Sequence, residues 1–338
     1  PKGVAVSHRA VIDFIRIYAD TFDITKEDII GNQAPFDFDV SVKDIYSSIM
    51  TGAQLVLIPK EYFSTPPRLL DYLCDKKVTN LTWAVSALTL VSALKGLNYR
   101  VPESVKRVMF SGEAMPPKQL RIWQEKLPDA KFVNLYGPTE ITCNCTYFPI
   151  ERQYEDSEKI PAGKAFPGRR VILVDEEGKQ VTEPGVQGEI CSAGESLANG
   201  YYKEPEQTAE KFVLYPVDGT EQRMYRTGDL GSYDEEGNIV FAGRKDFQIK
   251  HMGHRIELEE IETVLGSLSM IEHACCFFDE QKNKIVAYYV GSEDKRAIID
   301  EMKTKVPEFM VPNVFMNVEQ LPLTKNGKTD RNRLKEMY

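Results

Sequence analysis

An α/β core, a β-rich stretch and a small α+β unit make up the fold class this sequence predicts. Three observations carry that expectation. Short apolar runs alternate with helix-spaced stretches through the first part of the chain. From about Gly163 the texture changes to short β-rich runs split by Glu-Gly and Pro-Gly turns. After Gly243–Asp246 a helix, two paired strands and another helix follow. At 338 residues the chain is long enough for two or three folding units, and its 42% hydrophobic content is ordinary for a folded protein.

Taken in order, PKGVAVSHRAVIDF reads as a loop running into an amphipathic helix. Ala53–Ile58, Asn80–Ala84, Arg107–Phe110 and Lys131–Leu135 read as short buried strands, while Arg68–Lys77 and Pro117–Leu127 have helical spacing between them. Such alternation predicts βα units and a mostly parallel sheet, in which ligands gather beyond the carboxyl ends of the strands. GRRVILVDEEGKQV, GEICSAG and GNIVFAGR then fit a small antiparallel or barrel-like unit. In the last part IELEEIETVLGSL predicts a helix, ACCFFD and KIVAYYV paired strands, and RAIIDEMKTKV another helix. The expected boundaries are 1–245 for the core, with 1–160 α/β and 161–245 β-rich, and 246–338 for the C-terminal unit.

Bulk properties exclude several classes. A net charge of −9 argues against a phosphate-backbone binder, whose affinity comes from Lys and Arg. No apolar run is long enough to span a bilayer and nothing resembles a signal peptide. The six cysteines lack Cys-x-x-Cys spacing, which with four scattered histidines argues against a zinc site or a disulfide framework and for free thiols in a reducing cytoplasm. The absence of an initiator Met makes residues 1–338 read as the later part of a longer polypeptide.

Three strings carry chemistry: NLYGPTE at Asn134–Glu140, YRTGDL at Tyr225–Leu230 and LTKNGKTDR at Leu323–Arg331. In the first, Gly137 and Pro138 force a tight turn that leaves Thr139 and Glu140 exposed at its end. A hydroxyl there can donate to a phosphate oxygen, and a carboxylate can hold Mg²⁺, which prefers oxygen ligands. Taken alone, the string fits a capped loop equally well. In the second, Asp229 beside glycine can accept two hydrogen bonds from ribose hydroxyls, though the string by itself favours an Asx-type turn. In the third, Asn326-Gly327 makes a turn from which Lys328 projects, either towards developing negative charge or simply into solvent.

As an ordered set these strings resemble the adenylate-forming (ANL) superfamily, specifically an amino-acid adenylation domain of the non-ribosomal peptide synthetase type. The nearest likeness, through FDFDVSVKDIY, SGEAMP and NLYGPTE, is to stand-alone D-alanine–carrier-protein ligases. It extends through PKGV, GEICSAGESLANGYYKEPEQTAEKF, YRTGDLG, GRKDFQIKHMGHRIELEEIE, VPEFMVP and LTKNGKTDR. The resemblance implies a partial large α/β core with a β-barrel-like subdomain and a small mobile α+β C-terminal domain. It implies ATP and Mg²⁺ as cofactors, an amino acid as substrate and a carrier protein bearing phosphopantetheine as partner, with neither nucleic acid nor membrane involved. The implied reaction forms aminoacyl-AMP and pyrophosphate, then passes the aminoacyl group to the phosphopantetheine thiol.

Carried over by position, Thr139 contacts the α-phosphate, Glu140 the magnesium, Asp229 the ribose, Asn134 the adenine edge, and Tyr136 and Phe241 the adenine faces. Arg244 sits by ribose and phosphate, Gly137 shapes the nucleotide loop, Lys328 bridges the substrate carboxylate and α-phosphate, and Asp246 falls at the hinge. Lys2 matches the phosphate loop, whose earlier residues would precede Pro1, so the chain alone is expected to be incomplete as an enzyme. The implied side-chain pocket comprises Asp39, Val40, Lys43, Thr82, Met109, Ser111, Leu135, Cys143 and Asn144.

The resemblance implies that Asp39, in Phe38-Asp39-Val40-Ser41, takes the substrate ammonium, which would give a buried carboxylate the cationic partner it needs; its other reading is an N-cap for the following helix. Lys43 would pair with an acidic substrate side chain or, beside Asp44 on a helix, stand solvated at the surface. Ser111, where the D-alanine ligases commonly carry cysteine, weakens transfer of that specificity. The histidines carry no expected acid–base role, because adenylation needs charge neutralisation and in-line positioning more than proton transfer. Two other readings stay open: an acyl- or aryl-CoA ligase, and a non-catalytic nucleotide-binding or carrier-docking fragment.

Overall fold

The computed structural model describes residues 3–217, 219–245, 248–292, 294–323 and 329–338. The chain divides into two compact units, Pro1–Lys245 and Asp246–Tyr338.

The first unit opens with a two-residue strand, β1 (Val4–Ala5), and helix α1 (His8–Thr21). Ser7 caps α1 by accepting from Ala10 N at 3.1 Å, and the helix buries Phe14, Ile15 and Tyr18 along one stripe. β2 (Ile29–Asn32), α2 (Ser41–Thr51), β3 (Gln54–Leu57), α3 (Pro66–Asp75) and β4 (Asn80–Ala84) follow. They lead into α4 (Val85–Ala93), β5 (Arg107–Ser111), α5 (Pro117–Lys126), β6 (Lys131–Tyr136), β7 (Thr146–Ile150) and β8 (Lys164–Ala165). The strands form one seven-stranded sheet in the order β3-β2-β4-β5-β6-β7-β8. It is parallel through β6 and antiparallel from there on.

Alternation along β4, β5 and β6 sends side chains to opposite faces. Leu81, Trp83, Val108, Phe110 and Phe132 join Trp123 of α5 in one core. Met109, Val133 and Leu135 face α1, where Phe14, Tyr18 and Phe22 close a second core with Phe166. The site residues of this unit hang from the ends of these strands and from the loops beyond them.

The β-rich stretch is an antiparallel sheet of β9 (Arg170–Val174), β10 (Gln180–Val181), β11 (Gln187–Ala193), β13 (Phe212–Val217), β14 (Thr220–Tyr233) and β15 (Ile239–Arg244). The long β14 carries β11 along one edge, and on the other β13 beside its first half and β15 beside its second. β12 (Gly200–Tyr201) pairs with β1, and α6 (Pro205–Lys211) follows it.

The second unit begins, among described residues, with the hairpin β16 (Gln248–His251) and β17 (His254–Glu257). Its turn residues Met252 and Gly253 both have positive φ, which a two-residue I′ turn requires. Ile256 and Glu257 therefore belong to a strand, and the expected helix from Ile256 starts later, as α7 (Leu258–Gly266). Ile256 sits opposite Ile249 and is buried there, so tertiary pairing overrides the helical spacing of this segment. β18 (Ile271–Asp279) and β19 (Lys284–Gly291) pair antiparallel, α8 (Lys295–Lys305) follows, β20 (Val314–Asn317) adds parallel to β19, and α9 (Arg331–Met337) ends the chain.

Candidate active site

β6 ends at Tyr136, and the chain reverses through Gly137-Pro138, a short helical turn at Thr139–Ile141, and Thr142–Cys145 into antiparallel β7. The reversal folds tightly back on itself. Cys145 N donates to Tyr136 O at 2.8 Å, and Thr142 and Cys143 both adopt positive φ. A Cβ on Gly137 would lie 2.5 Å from Asn144 Cα and 2.8 Å from Cys145 N, so only glycine fits this approach.

The turn leaves Thr139 half-buried but draws Glu140 in to 1% exposure, against the expectation that both stand exposed. Glu140 turns inward because it has partners there. Its Oε1 accepts from Tyr201 Oη at 2.7 Å, Tyr201 Oη lies 3.2 Å from Tyr225 Oη, and Glu140 O accepts from Ala198 N at 2.8 Å. Tyr201 is placed by β12, which pairs with the start of the chain at Val4–Ala5.

YRTGDL lies within β14. Thr227 Oγ1 donates to Ile190 O at 2.7 Å and accepts from Asp229 N at 2.9 Å, turning the backbone so that Asp229 is buried to 4% exposure. Its two oxygens have different partners: Arg244 donates to Oδ1, and Tyr136 Oη donates to Oδ2 at 2.5 Å. Arg244 also donates to Thr227 O at 3.1 Å, and its position opposite Asp229 follows from the β14–β15 register. Burial beside Asp229 pushes the Tyr136 hydroxyl well above its ordinary pKa, so it stays a donor. Phe241, partly exposed, stands 6.4 Å from the Tyr136 ring. Each Asp229 oxygen keeps a second lone-pair direction, which leaves the carboxylate able to accept from a ligand hydroxyl. Asn134, half-buried on β6, donates from Nδ2 to Pro161 O at 2.8 Å.

The expected pocket residues fall into two connected sets. Thr82 and Met109, opposite one another on β4 and β5, both meet Tyr18: its hydroxyl is 3.0 Å from Thr82 Oγ1 and donates to Met109 Sδ at 3.5 Å. Leu135 and Cys143 pack into the same core, and Ser111 ends β5. The second set joins α2 to the β6–β7 reversal. Lys43 is 1% exposed and donates from Nζ to Asn144 Oδ1 at 2.8 Å, while Cys143 Sγ donates to Asp39 O at 3.1 Å. Burial holds the Cys143 thiol protonated, far above its usual pKa.

Two readings change here. Lys43 is not a solvated surface lysine. Nor does Asp39 cap α2: the N-cap position is Val40, without a side-chain bond, and the half-buried Asp39 carboxylate accepts no hydrogen bond among the described residues. Lys2, Lys328 and Asp246 lie outside the described residues.

Sequence reading missed four residues of this neighbourhood: Tyr18, Tyr201, Tyr225 and Glu189. Glu189 is 3% exposed and holds YRTGDL from behind, accepting from Arg226 Nη2 at 2.6 Å and Gly228 N at 3.0 Å, with Lys245 Nζ at 3.5 Å. A Glu on a β-rich run carries no local signal of such a role. Only the β11–β14 pairing reveals it.

The buried tyrosines, the loop carboxylate of Glu140 and the arginine-paired carboxylate of Asp229 are oxygen groups whose chemistry suits phosphate, metal and sugar partners. Among the described residues no three His, Cys, Asp or Glu side chains cluster as a metal cage. Glu140 still fits magnesium, which takes one or two carboxylates and completes its shell with phosphate oxygens and water.

The model of the AMP-binding enzyme family matches residues 1–202, and that of the AMP-binding enzyme C-terminal domain matches residues 260–328. Tyrocidine synthase 3 of Brevibacillus parabrevis is 38% identical over 99% of the chain, which spans 5% of that protein's length. D-alanine–D-alanyl carrier protein ligase of Bacillus cytotoxicus is 33% identical over 99% of the chain, which covers 68% of it. Among solved structures, the Vibrio cholerae adenylation domain AlmE in complex with glycyl-adenosine-5′-phosphate superimposes with a TM-score of 0.87 at 26% identity, covering all of this chain and 64% of that one. NpsA-ThdA, an artificially fused adenylation–PCP di-domain from Klebsiella oxytoca, gives 0.80 at 25% identity over 93% of this chain and 62% of that one. With a family model over more than half its length and a similar ligase two-thirds covered, this chain belongs to the AMP-binding enzymes.

Proposed function

We propose that this chain activates an amino acid with ATP, forming aminoacyl-AMP and pyrophosphate, and passes the aminoacyl group to the phosphopantetheine thiol of a carrier protein. The observation that carries the reading is the Tyr136–Asp229–Arg244 constellation, which sets a buried, arginine-paired carboxylate beside the loop holding Thr139 and Glu140. A sugar diol donates to Asp229, the base lies along Tyr136 and Phe241, and Asn134 and Gly137 shape the loop around it. Thr139 donates to an α-phosphate oxygen, with Lys2 and Arg244 supplying positive charge nearby.

A substrate carboxylate oxygen attacks the α-phosphorus, a P–O bond forms, and the bond to the leaving pyrophosphate oxygen breaks. Magnesium held by Glu140 would neutralise charge on the phosphate oxygens. Lys328 bridges the carboxylate and α-phosphate, where a point charge stabilises the transition state. A thiol then attacks the acyl carbon, gives up its proton and displaces AMP. Asp246 is the proposed hinge for clearing Lys328 before that step.

The half-buried Asp39 carboxylate, without a hydrogen-bond donor among the described residues, favours an α-ammonium substrate over the fatty and aryl acids of CoA ligases. The relatives extend the reading: one is named as a carrier-protein ligase, and one solved neighbour holds an aminoacyl adenylate. A cytoplasmic setting suits ATP as substrate.

The test is amino-acid-dependent exchange of labelled pyrophosphate into ATP by the full-length protein. Exchange is expected with one amino acid or a small group, together with loss of at least about tenfold in Glu140→Gln. Retained AMP binding with no exchange for any amino acid would identify a nucleotide-binding module instead. Turnover of the adenylate by coenzyme A with no carrier protein would identify a CoA ligase.

A further inference from the structure

We infer that Tyr201, backed by Tyr225, is the positioning residue that aims the Glu140 carboxylate at magnesium. The inference rests on the adenylation reading above and deepens it.

Three groups from distant parts of the chain meet in one buried line. Tyr201 Oη donates to Glu140 Oε1 at 2.7 Å and lies 3.2 Å from Tyr225 Oη, and all three side chains are buried. An ionised carboxylate only accepts, and a phenol has one hydrogen to give. The Tyr201 hydrogen is therefore committed to Glu140, and the bond between the two hydroxyls is donated by Tyr225. The line runs one way, from Tyr225 to Tyr201 to Glu140, and each donor polarises the next. Such neutral donors suit a metal ligand. They fix the orientation of the carboxylate without cancelling the charge that attracts the cation, as an arginine in the same place would.

Tyr201 is itself held from several sides. Gly200 has a φ of 140°, and a Cβ there would lie 2.4 Å from Thr208 Cγ2, so β12 and α6 approach as only glycine allows. Across that approach Thr208 Oγ1 accepts from Tyr201 N at 2.9 Å. Arg223 fixes the backbone just before it, donating to Ala198 O at 2.7 Å and Asn199 O at 2.8 Å. The Phe212 ring packs between the two phenols, its centroid 5.8 Å from Tyr201 and 4.9 Å from Tyr225.

The same segment reaches both ways. Towards the Glu140 turn, Ala198 N donates to Glu140 O at 2.8 Å and Ser196 O accepts from Thr142 Oγ1 at 2.7 Å. Towards the start of the chain, Asn199 N donates to Ala5 O at 2.8 Å and Tyr202 N to Gly3 O at 2.7 Å. Residues 196–202 therefore set the place of Glu140 relative to residues 3–5, and the Tyr201 hydroxyl carries that frame to the carboxylate itself.

The experiment titrates Mn²⁺, a paramagnetic stand-in for magnesium read by electron paramagnetic resonance, into full-length protein holding α,β-methylene-ATP, which cannot release pyrophosphate. A companion assay measures the Mg²⁺ dependence of pyrophosphate exchange. Tyr201→Phe keeps the ring and removes the donor. It should weaken Mn²⁺ binding about tenfold to a hundredfold and raise the magnesium half-saturation to match, the range that loss of a partner to a metal ligand gives. The KM for the amino acid should not change, and excess magnesium should restore most of the exchange rate. Tyr225→Phe leaves Tyr201 bonded to Glu140 and tests the line from its far end, with a smaller shift expected in the same direction. A lowered unfolding midpoint with wild-type Mn²⁺ affinity in both variants overturns the inference, makes Tyr201 a packing residue and leaves adenylation standing. Wild-type protein that exchanges pyrophosphate with no amino acid at all overturns both.

Discussion

Tyr136 donates its hydroxyl hydrogen to Asp229 Oδ2 at 2.5 Å, joining the exit of β6 to the middle of β14. One bond thus links the parallel sheet to the antiparallel one and joins the two proposed nucleotide strings to each other. In Tyr136→Phe the ring remains but the buried carboxylate loses a donor. Hydrogen bonds to charged groups contribute about 1.5–3 kcal/mol, so equilibrium unfolding should show a loss of that order, and exchange assays a raised KM for ATP. Because burial pushes the tyrosine pKa up, the deficit should be constant between about pH 6 and about pH 9. A variant with wild-type stability and wild-type KM would show that the bond positions nothing.

Gly137→Ala tests the tightness of the reversal. The new methyl meets backbone atoms on Asn144, Cys145 and Cys143, the nearest at 2.5 Å, and backbone cannot rotate away as a side chain can. Overpacking of this kind costs about 1–3 kcal/mol or more, and the relief must come from shifting the loop that carries Thr139 and Glu140. Thermal unfolding should fall, and exchange activity should fall further than stability alone explains. Normal activity in a folded Gly137→Ala protein would remove the loop geometry from the account of the site.

Much of this architecture is legible in the sequence because local signals and tertiary demands agree. β4, β5 and β6 lie where short apolar runs predict them, and α5 begins at the proline that fits a first helical turn. β2 and α4 carry no such signal. IIGN is only four residues long, and VSALTLVSA is apolar on most sides, so neither shows a clear period. The site divides the same way. Asp229, Tyr136 and Glu140 announce themselves through turn-forming neighbours, whereas Tyr18, Tyr201 and Glu189 matter only through partners far along the chain. The burial of Lys43 has no signal in the sequence, because α2 is buried on a polar stripe of Ser41, Lys43, Asp44 and Ser47.

That polar stripe has a pH consequence. Burial raises the Asp44 carboxyl from its ordinary 3.8 to about 7, with the Asn32 hydrogen bond and the charge of Lys43 opposing the shift. The folded state therefore holds the proton more tightly than the unfolded chain does. This favours folding below the unfolded pKa, and the advantage is lost as pH rises from 3.8 to about 7. Asp44→Asn has no proton to lose, and its amide oxygen can still accept from Asn32. Denaturant midpoints should show the variant gaining on wild type as pH rises through that window, by up to about 1.4 kcal/mol per pH unit, and levelling off above it. Parallel curves for the two proteins would mean that Asp44 folds ionised.

Glu189 offers the sharpest separation between holding the fold and placing the nucleotide. Its carboxylate, 3% exposed, gathers Arg226, the Gly228 amide and Lys245 behind the segment that presents Asp229. Arg226 is 42% exposed and rehydrates when its partner is removed, so the charge pair itself is worth less than a fully buried one. The Gly228 N–H is buried and cannot rehydrate in the same way. Glu189→Gln keeps an oxygen for Gly228 and removes the charge, whereas Glu189→Ala removes both. The alanine variant should lose about 2–4 kcal/mol and the glutamine variant about half as much. KM for ATP should rise chiefly in the alanine variant, because only there is the turn before Asp229 released. Equal KM values in both variants would assign Glu189 to stability alone and leave Thr227 as the residue that sets Asp229 in place.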